Sequence, residues 1–190
     1  GHIASPAAVI IVASGVTLDG FTIFRPNLCG GSSDCYFNNP GVLIGGTYAG
    51  DNSYPTAGTV HNNTVSNNAI GTIDNPVWHG VYIWNSDNNI IENNVVKADP
   101  FNHWAAMSIY DGGTDTPPNS SQGNIIRNND FSHGIAVGAW PGTTDNSGTI
   151  ITGNIATRIG ISYSNSTGIV ISGNTLTDIR NWGYDMSHML

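Results

Sequence analysis

Charged side chains are scarce in this sequence, and basic ones are the scarcest. Of its 190 residues 9% are charged, and five Lys and Arg stand against 13 Asp and Glu, which gives a net charge of −8. Proteins that bind nucleic acid or anionic membranes need a basic surface, so the sequence argues against both partners. A run of about 18 apolar residues is also lacking, so no membrane-spanning helix is expected.

Cysteine is nearly absent as well. Cys29 and Cys35 are separated by five residues in a Gly- and Ser-rich stretch. This spacing suits a small disulfide-closed loop formed in an oxidising compartment, and the alternative is a pair of free thiols.

The chain also begins with Gly1 rather than Met and shows no signal peptide. We therefore expect a processed or cloned piece of a larger protein that is secreted or displayed on the cell surface.

Glycine and asparagine, by contrast, are abundant, with 24 of each. Both residues favour turns, and this frequency opposes long helices. Asparagine recurs inside one repeated phrase, and self-similarity of this kind indicates a solenoid. The copies are VHNNTV from Val60, IIENNVV from Ile90, IIRNNDF from Ile125, IITGNIA from Ile150 and IVISGNTL from Ile169, with VTLDGFTI from Val16 as a variant.

The aligned phrases predict two inward apolar columns with a polar column between them. The first column is Leu18, Val60, Ile91, Ile126, Ile151 and Ile171, and the second is Ile23, Val65, Val96, Phe131, Ala156 and Leu176. The column between them is Asn63, Asn94, Asn129, Asn154 and Asn174, with Phe21 in this place in the first coil. An Asn at a fixed point of each coil can bond to the coils above and below. The residue before it is always Gly or Asn, both of which tolerate left-handed backbone angles.

A second phrase, Gly-apolar-x-apolar, alternates with the first and predicts short strands. Its copies begin at Gly41, Gly80, Gly134, Gly160 and Gly183, with AMSI from Ala106 as a near match. In the tightest coils each phrase follows the other after 10 residues, so one coil takes 20 residues. We therefore predict an all-β parallel solenoid of about six or seven coils with an internal asparagine ladder, forming a single domain over residues 1–190. An antiparallel sandwich would not repeat one register at every turn.

The phrases N-x-I-x-N-N-x-apolar and VTLDGFTI resemble the repeats of the pectate-lyase-like superfamily over nearly the whole chain. The resemblance implies a right-handed parallel β-helix. It is specific for the fold but not for the function, because that superfamily includes polysaccharide lyases, glycoside hydrolases, epimerases, phage tailspikes, glycan-binding modules and surface stalks.

Alternate residues of the second phrase are predicted to face outward. They are Leu43, Gly45, Tyr82, Trp84, Ser108, Tyr110, Ala136, Gly138, Ser162 and Ser164. Tyr82, Trp84 and Tyr110 then lie on two coils about 4.8 Å apart and form a platform for sugar rings. Trp78 and Trp104 precede the same strands and are further candidates for substrate binding. The alternative is that long loops cover these rings as a second small core.

Candidate acid and base groups surround the same strands. They are Asp74, Asp99, Asp111, His79, His103 and Lys97. Glycoside hydrolysis needs two carboxylates about 5 to 9.5 Å apart, which the three aspartates could supply. Uronate elimination needs a basic residue and cations that neutralise the uronate. The resemblance to pectate lyases would imply a compact calcium-binding Asp cluster facing a catalytic Arg. This sequence departs from that pattern, so no metal ligand is assigned and calcium is left open as a cofactor.

The expected function is therefore binding of an extracellular polysaccharide, with cleavage by lyase or hydrolase chemistry. The alternatives are a non-catalytic adhesion or glycan-binding module and a fragment of a phage tailspike. An outward aliphatic stripe of Ile90, Ile125, Ile150 and Val170 predicts a partner surface, which could be a covering loop, a neighbouring domain or a second copy of the chain. A further outward row is Asp19, His61, Glu92, Arg127, Thr152 and Ser172, in which Glu92 and Arg127 are expected to form a cross-strand ion pair.

Overall fold

The computed structural model describes the chain in several ranges. They are residues 7–24, 40–45, 60–73, 77, 79–98, 105–110, 119–138, 144–161 and 166–177. Regular structure in these ranges is all β-strand, and the strands pair in parallel. No helix long and apolar enough to cross a membrane occurs in them.

Most strands in the described ranges belong to three six-stranded sheets. The first sheet contains β1 (Val9–Ile11), β4 (Pro40–Ile44), β8 (His79–Trp84), β12 (Met107–Tyr110), β16 (Ile135–Val137) and β20 (Ile159–Ile161). The second contains β2 (Thr17–Asp19), β6 (Thr64–Ser66), β10 (Ile90–Glu92), β14 (Ile125–Arg127), β18 (Ile150–Thr152) and β21 (Val170–Ser172). The third contains β3 (Thr22–Ile23), β7 (Ala69–Ile70), β11 (Val95–Val96), β15 (Asp130–Phe131), β19 (Ile155–Ala156) and β22 (Thr175–Leu176). Two short pairs complete the strands: β5 (Val60–His61) with β9 (Ser86–Asp87), and β13 (Asn119–Ser120) with β17 (Thr144–Asp145).

The chain visits the three sheets in the same order repeatedly, and we call one such passage a coil. Neighbouring strands of each sheet come from successive coils, and the described residues include six of them. The length of a coil is the number of residues between equivalent positions on successive coils. It is 20 residues from Asn154 to Asn174, whose hydrogen bond joins two coils, and this confirms the predicted minimum coil length. It is 47 residues from Phe21 to Asn68. The stacked parallel strands confirm the predicted all-β architecture.

Inward apolar side chains form continuous columns. The column of the second sheet is Leu18, Val65, Ile91, Ile126, Ile151 and Ile171. That of the third sheet is Ile23, Ile70, Val96, Phe131, Ala156 and Leu176. The middle coils bury their side chains almost completely, and each buried aliphatic side chain is worth about 1.5–3 kcal/mol. In the last described coil Ile171 is 41% and Leu176 50% exposed, because no further described strand covers them.

The predicted register of the second coil is wrong by five residues. Val65 takes the place predicted for Val60, and Ile70 takes the place predicted for Val65. Asn68 likewise takes the place predicted for Asn63. The cause is the local sequence NNTVSNNAI, which contains the Asn-Asn-x-apolar phrase twice. The structure uses both copies, one on each side of the second sheet.

A ladder of asparagine amides runs between the second and third sheets. Its members are Asn68, Asn94, Asn129, Asn154 and Asn174. The Asn94 Nδ2 donates to Asn129 Oδ1 at 3.0 Å and to the Val65 and Glu92 carbonyl oxygens at 2.9 and 3.0 Å. The Asn94 Oδ1 accepts from the backbone and side-chain nitrogens of Asn68, both at 3.0 Å. Polar groups that the corner would otherwise leave unpaired are therefore satisfied.

A second, shorter ladder lies five residues earlier in the second, third and fourth coils, on the other side of the second sheet. The Asn63 Nδ2 donates to Asn89 Oδ1 at 3.1 Å, and the Asn89 Nδ2 donates to Asn124 Oδ1 at 2.8 Å. All three asparagines are buried. The repeated phrases predict one ladder, whereas in the structure two ladders border the second sheet, one on each side.

The residue before each ladder position turns the chain with a positive φ. Asn93 and Asn128 both have a φ of 56°, and Asn62 has a φ of 59° before the second ladder. Glycine and asparagine reach this region with the least strain. Positive φ is thereby confirmed for the predicted corner residues, Gly20, Asn62, Asn93, Asn128, Gly153 and Gly173.

Replacement of Asn94 by Ala is expected to reduce the free energy of unfolding by about 3 kcal/mol or more, because it orphans several buried donors and acceptors at once. Urea-induced unfolding measures this change. The control is Asn174→Ala at the half-exposed end of the ladder, where water can replace the lost bonds and about 1 kcal/mol or less is expected. Equal losses for the two variants would contradict the structural role of the buried ladder.

Candidate functional site

The outer face of the first sheet carries two of the predicted aromatic side chains, Tyr82 and Trp84. One outward row of this sheet is Ile10, Leu43, Tyr82, Ser108, Ala136 and Gly160. In β8 the inward residues are fully buried, whereas Tyr82 and Trp84 are half-buried, as the predicted alternation requires. The register of the last strand differs from the prediction by two residues. Gly160 takes the place predicted for Ser162, which lies outside the described residues.

Tyr82 and Trp84 form a stacked aromatic pair. Their ring centroids are 5.5 Å apart and their planes differ by 29°. Both rings lie on one face of the sheet because the two residues are two positions apart on one strand. Gly45 lies beside Trp84 on the preceding coil, and a Cβ at this position would clash with the Trp84 carbonyl oxygen. Glycine at this position therefore permits the close stacking of the two coils next to the pair.

His79 supports the aromatic pair from one side. Its ring meets the Tyr82 ring edge-on, with centroids 5.4 Å apart and planes at 72°. The backbone amides of Gly80 and Val81 both donate to the Ala106 carbonyl oxygen, which is a bulge-like distortion of β8. The two-residue alternation of side chains is interrupted there, so His79 and Tyr82 are in contact although they are three positions apart. Sequence alternation alone does not predict this contact.

The imidazole of His79 is buried and neutral. Its Nδ1 lies 3.2 Å from the Ala105 carbonyl oxygen, so Nδ1 carries the proton and donates it to that oxygen. Burial lowers the pKa of His79 from its ordinary 6.5 to about 4, against a smaller opposing effect of the Ala105 hydrogen bond. No positive charge is therefore present at this position near neutral pH.

Comparison of the chain with protein-family models, curated proteins and solved structures found no match. The chemistry of the site therefore has to be inferred from its own side chains. Tyr110 is in backbone register with Trp84, but its side chain falls outside the part of the chain that the structure describes. The predicted candidates that also fall outside it are Asp74, Asp99, Asp111, His103, Trp78, Trp104, Cys29 and Cys35. Their roles, and the disulfide, stay predictions.

Lys97 lies just after β11 of the third sheet. Its Nζ is 3.5 Å from Asp130 Oδ2 on the next coil. Its role as an acid or base also stays a prediction. Within the described ranges no three His, Cys, Asp or Glu side chains are grouped so that they could hold a metal ion.

The outer face of the second sheet carries the predicted ion pair. Arg127 donates to Glu92 Oε2 from Nε at 2.7 Å, and its Nη2 lies 2.6 Å from the same oxygen. The cross-strand pair between successive coils is thereby confirmed. Ser66, rather than His61, occupies this row in the second coil, as a result of the same five-residue register error.

The aliphatic stripe lies on the same face. Ile90, Ile125, Ile150 and Val170 are aligned in register on four successive strands. The first three are half-buried, and Val170 is exposed. A neighbouring domain or second copy at this stripe stays a prediction.

Acid is expected to destabilise the protein through His79. An unfolded His binds a proton as the pH falls through 6.5, whereas the buried His79 does so only near pH 4. The contribution of His79 to the free energy of unfolding should therefore fall by about 3 kcal/mol between pH 6.5 and pH 4. Below pH 4 this contribution should not change further. The measurement is urea unfolding across this range for the wild type and for His79→Asn, whose amide can still donate to Ala105. Parallel pH profiles for the two proteins would contradict the buried neutral imidazole.

Proposed function

We propose that this protein is a secreted or cell-surface polysaccharide-binding protein whose binding face is centred on Tyr82 and Trp84. The observation that carries the proposal is the stacked pair itself, two half-buried rings inclined by 29° on the outer face of the first sheet. Sugar rings present C–H faces that stack on aromatic rings of this kind. Both rings are half-buried, so part of each ring is accessible for stacking against a sugar.

The finer description of the fold belongs to the same proposal. Six coils of parallel strands with buried asparagine ladders are compatible with a right-handed parallel β-helix. The repeat phrases resemble those of the pectate-lyase-like superfamily. A solenoid of this type suits a long polymer, because equivalent strands of successive coils form one continuous face.

The position of the chain's insertions supports the first sheet as the binding face. The second ladder precedes the longer ladder by five residues in every coil that has both, as in Asn89 and Asn94. Coils are lengthened instead between the third sheet and the first, and after the first. Loops around a regular scaffold commonly carry binding residues.

Cleavage of the bound polysaccharide is a second part of the proposal. Asp74 comes five residues before β8, and Asp111 follows β12 directly, so both adjoin the strands that carry the aromatic residues. Asp99 precedes β12 by eight residues. Two of these carboxyl groups about 5 to 9.5 Å apart would suit acid/base hydrolysis of a glycosidic bond.

Substitution of Tyr82 or Trp84 by Ala is expected to weaken polysaccharide binding about tenfold or more, because each ring contributes about 1.5 kcal/mol or more of apolar burial against the sugar. Affinity electrophoresis on a panel of neutral and acidic polysaccharides measures the retention. The matched control is Phe21→Ala, which removes an exposed aromatic ring from another part of the stack and should leave retention unchanged. Equal effects of all three variants, or no retention of the wild type on any polymer, would contradict the proposed face.

Size-exclusion chromatography of the same polymers after incubation tests cleavage. If the chains become shorter, Asp74→Asn, Asp99→Asn and Asp111→Asn are expected to divide into two variants that lose about 100-fold or more in rate and one that does not. Retention without shortening would make the protein a binding module without catalysis. Full activity in all three variants would contradict the assignment of these aspartates.

A further inference from the structure

We infer that the Tyr82–Trp84 face selects uncharged glycans and discriminates against polymers of uronic acid. The inference rests on the proposed function and adds to it the chemical class of the ligand. It differs from what the resemblance to pectate lyases implies, because those enzymes act on a polyanion. Three features of this chain carry it: the uncharged strands of the first sheet, the engagement of cations elsewhere, and the acidic sequence of the segments that directly precede or follow β8 and β12 along the chain.

The first sheet is free of formal charge in its described strands. None of β1, β4, β8, β12, β16 and β20 contains Asp, Glu, Lys or Arg. Their one imidazole, His79, is buried and donates to a backbone carbonyl. The outward neighbours of Tyr82 in register are Leu43 and Ser108. A carboxylate on a sugar stacked over Tyr82 would therefore find no cation within the strands themselves. Arg158 directly precedes β20 and packs against Gly134 before β16, which places this cation at the last two strands of the sheet rather than beside Tyr82.

The basic residues of the protein are few and are partly engaged elsewhere. Five Lys and Arg are present in the whole sequence. Arg127 pairs with Glu92 on the second sheet, and Lys97 pairs with Asp130 beside the third. Recruiting either cation for a uronate would break an existing ion pair on another sheet. A bound polyanion would also meet a protein with a net charge of −8.

The sequence segments that adjoin β8 and β12 have the wrong charge for a polyanion. Residues 74–78, 99–104 and 111–118 contain Asp74, Asp99, Asp111 and Asp115 and neither Lys nor Arg. Acidic groups in segments that adjoin these strands in sequence are expected to repel carboxylated sugars, whereas neutral sugars can use the same groups as hydrogen-bond acceptors. Charge therefore disfavours one class of ligand and leaves the other unaffected.

Polymer pairs that share one backbone and differ in the charge of their substituents test the inference. Methyl-esterified galacturonan is compared with de-esterified galacturonan, and hydroxyethyl cellulose with carboxymethyl cellulose, by affinity electrophoresis of the full chain at about 0.01 M salt. The uncharged member of each retained pair is expected to bind about tenfold tighter or more. The difference should shrink at about 0.15 M salt, because ions screen the repulsion.

Equal or tighter binding of the carboxylated members, with or without added calcium, would overturn the inference while leaving the proposed binding face intact. Retention restricted to carboxylated polymers in the presence of calcium would do the same, since the acidic segments would then be holding cations for the uronate. Retention of neither member of any pair would instead count against the proposed function itself.

A charged substitution beside Tyr82 tests whether the discrimination against carboxylated polymers arises at this part of the sheet. Leu43→Lys places a cation on the coil next to Tyr82, and Leu43→Gln is the uncharged control of similar length. Binding of the carboxylated polymers at low salt is expected to be about threefold tighter or more in the Lys variant than in the Gln variant. The uncharged polymers should bind the two variants equally. Equal binding of the carboxylated polymers would overturn the inference that their sugars pass over this part of the sheet.

Discussion

The structure depends on how each coil turns its corners without burying unpaired polar groups. Each described corner beside the second sheet uses a residue with positive φ, and in the middle coils the residue that follows it is buried in the stack. Asparagine at that second position solves the problem in most coils, because its amide bonds both to the next coil and to backbone carbonyls. Two such ladders border the second sheet. Coils that have an asparagine in both ladders therefore keep five residues between the two positions.

This constraint divides the molecule into an invariant part and a variable part. The second and third sheets follow one another without insertions, and their inward columns are aligned from coil to coil. All lengthening of the coils occurs on either side of the first sheet. The aromatic pair lies on that sheet, where the fixed register of the ladders positions Tyr82 next to Ser108 and Leu43. The second and third sheets thus keep a constant register, while the segments on either side of the first sheet vary in length and sequence.

The sequence was sufficient to predict the repeats, the 20-residue coil, the corner residues and the cross-strand pair of Glu92 and Arg127. Each of these depends on a local pattern that recurs at a fixed spacing. The register of the second coil could not be predicted because its two Asn-Asn-x-apolar phrases satisfy the same pattern at positions five residues apart.

The candidate site was predictable only in part. The alternation of β8 indicated that Tyr82 and Trp84 share a face, but the edge-on contact of His79 depends on a local distortion at Gly80 and Val81. No periodicity in the sequence encodes that distortion. The carboxylates lie in segments without repeat character, so their distances from the rings cannot be deduced from spacing along the chain.

Nuclear magnetic resonance of the full chain titrated with an uncharged oligosaccharide tests the central claim most directly. Substitution variants assign the ring signals of Tyr82, Trp84 and Phe21. The account predicts that the Tyr82 and Trp84 signals move together with one binding constant while the signals of Phe21 and of the aliphatic stripe stay in place. Movement of the Phe21 or stripe signals, with those of Tyr82 and Trp84 unchanged, would contradict it.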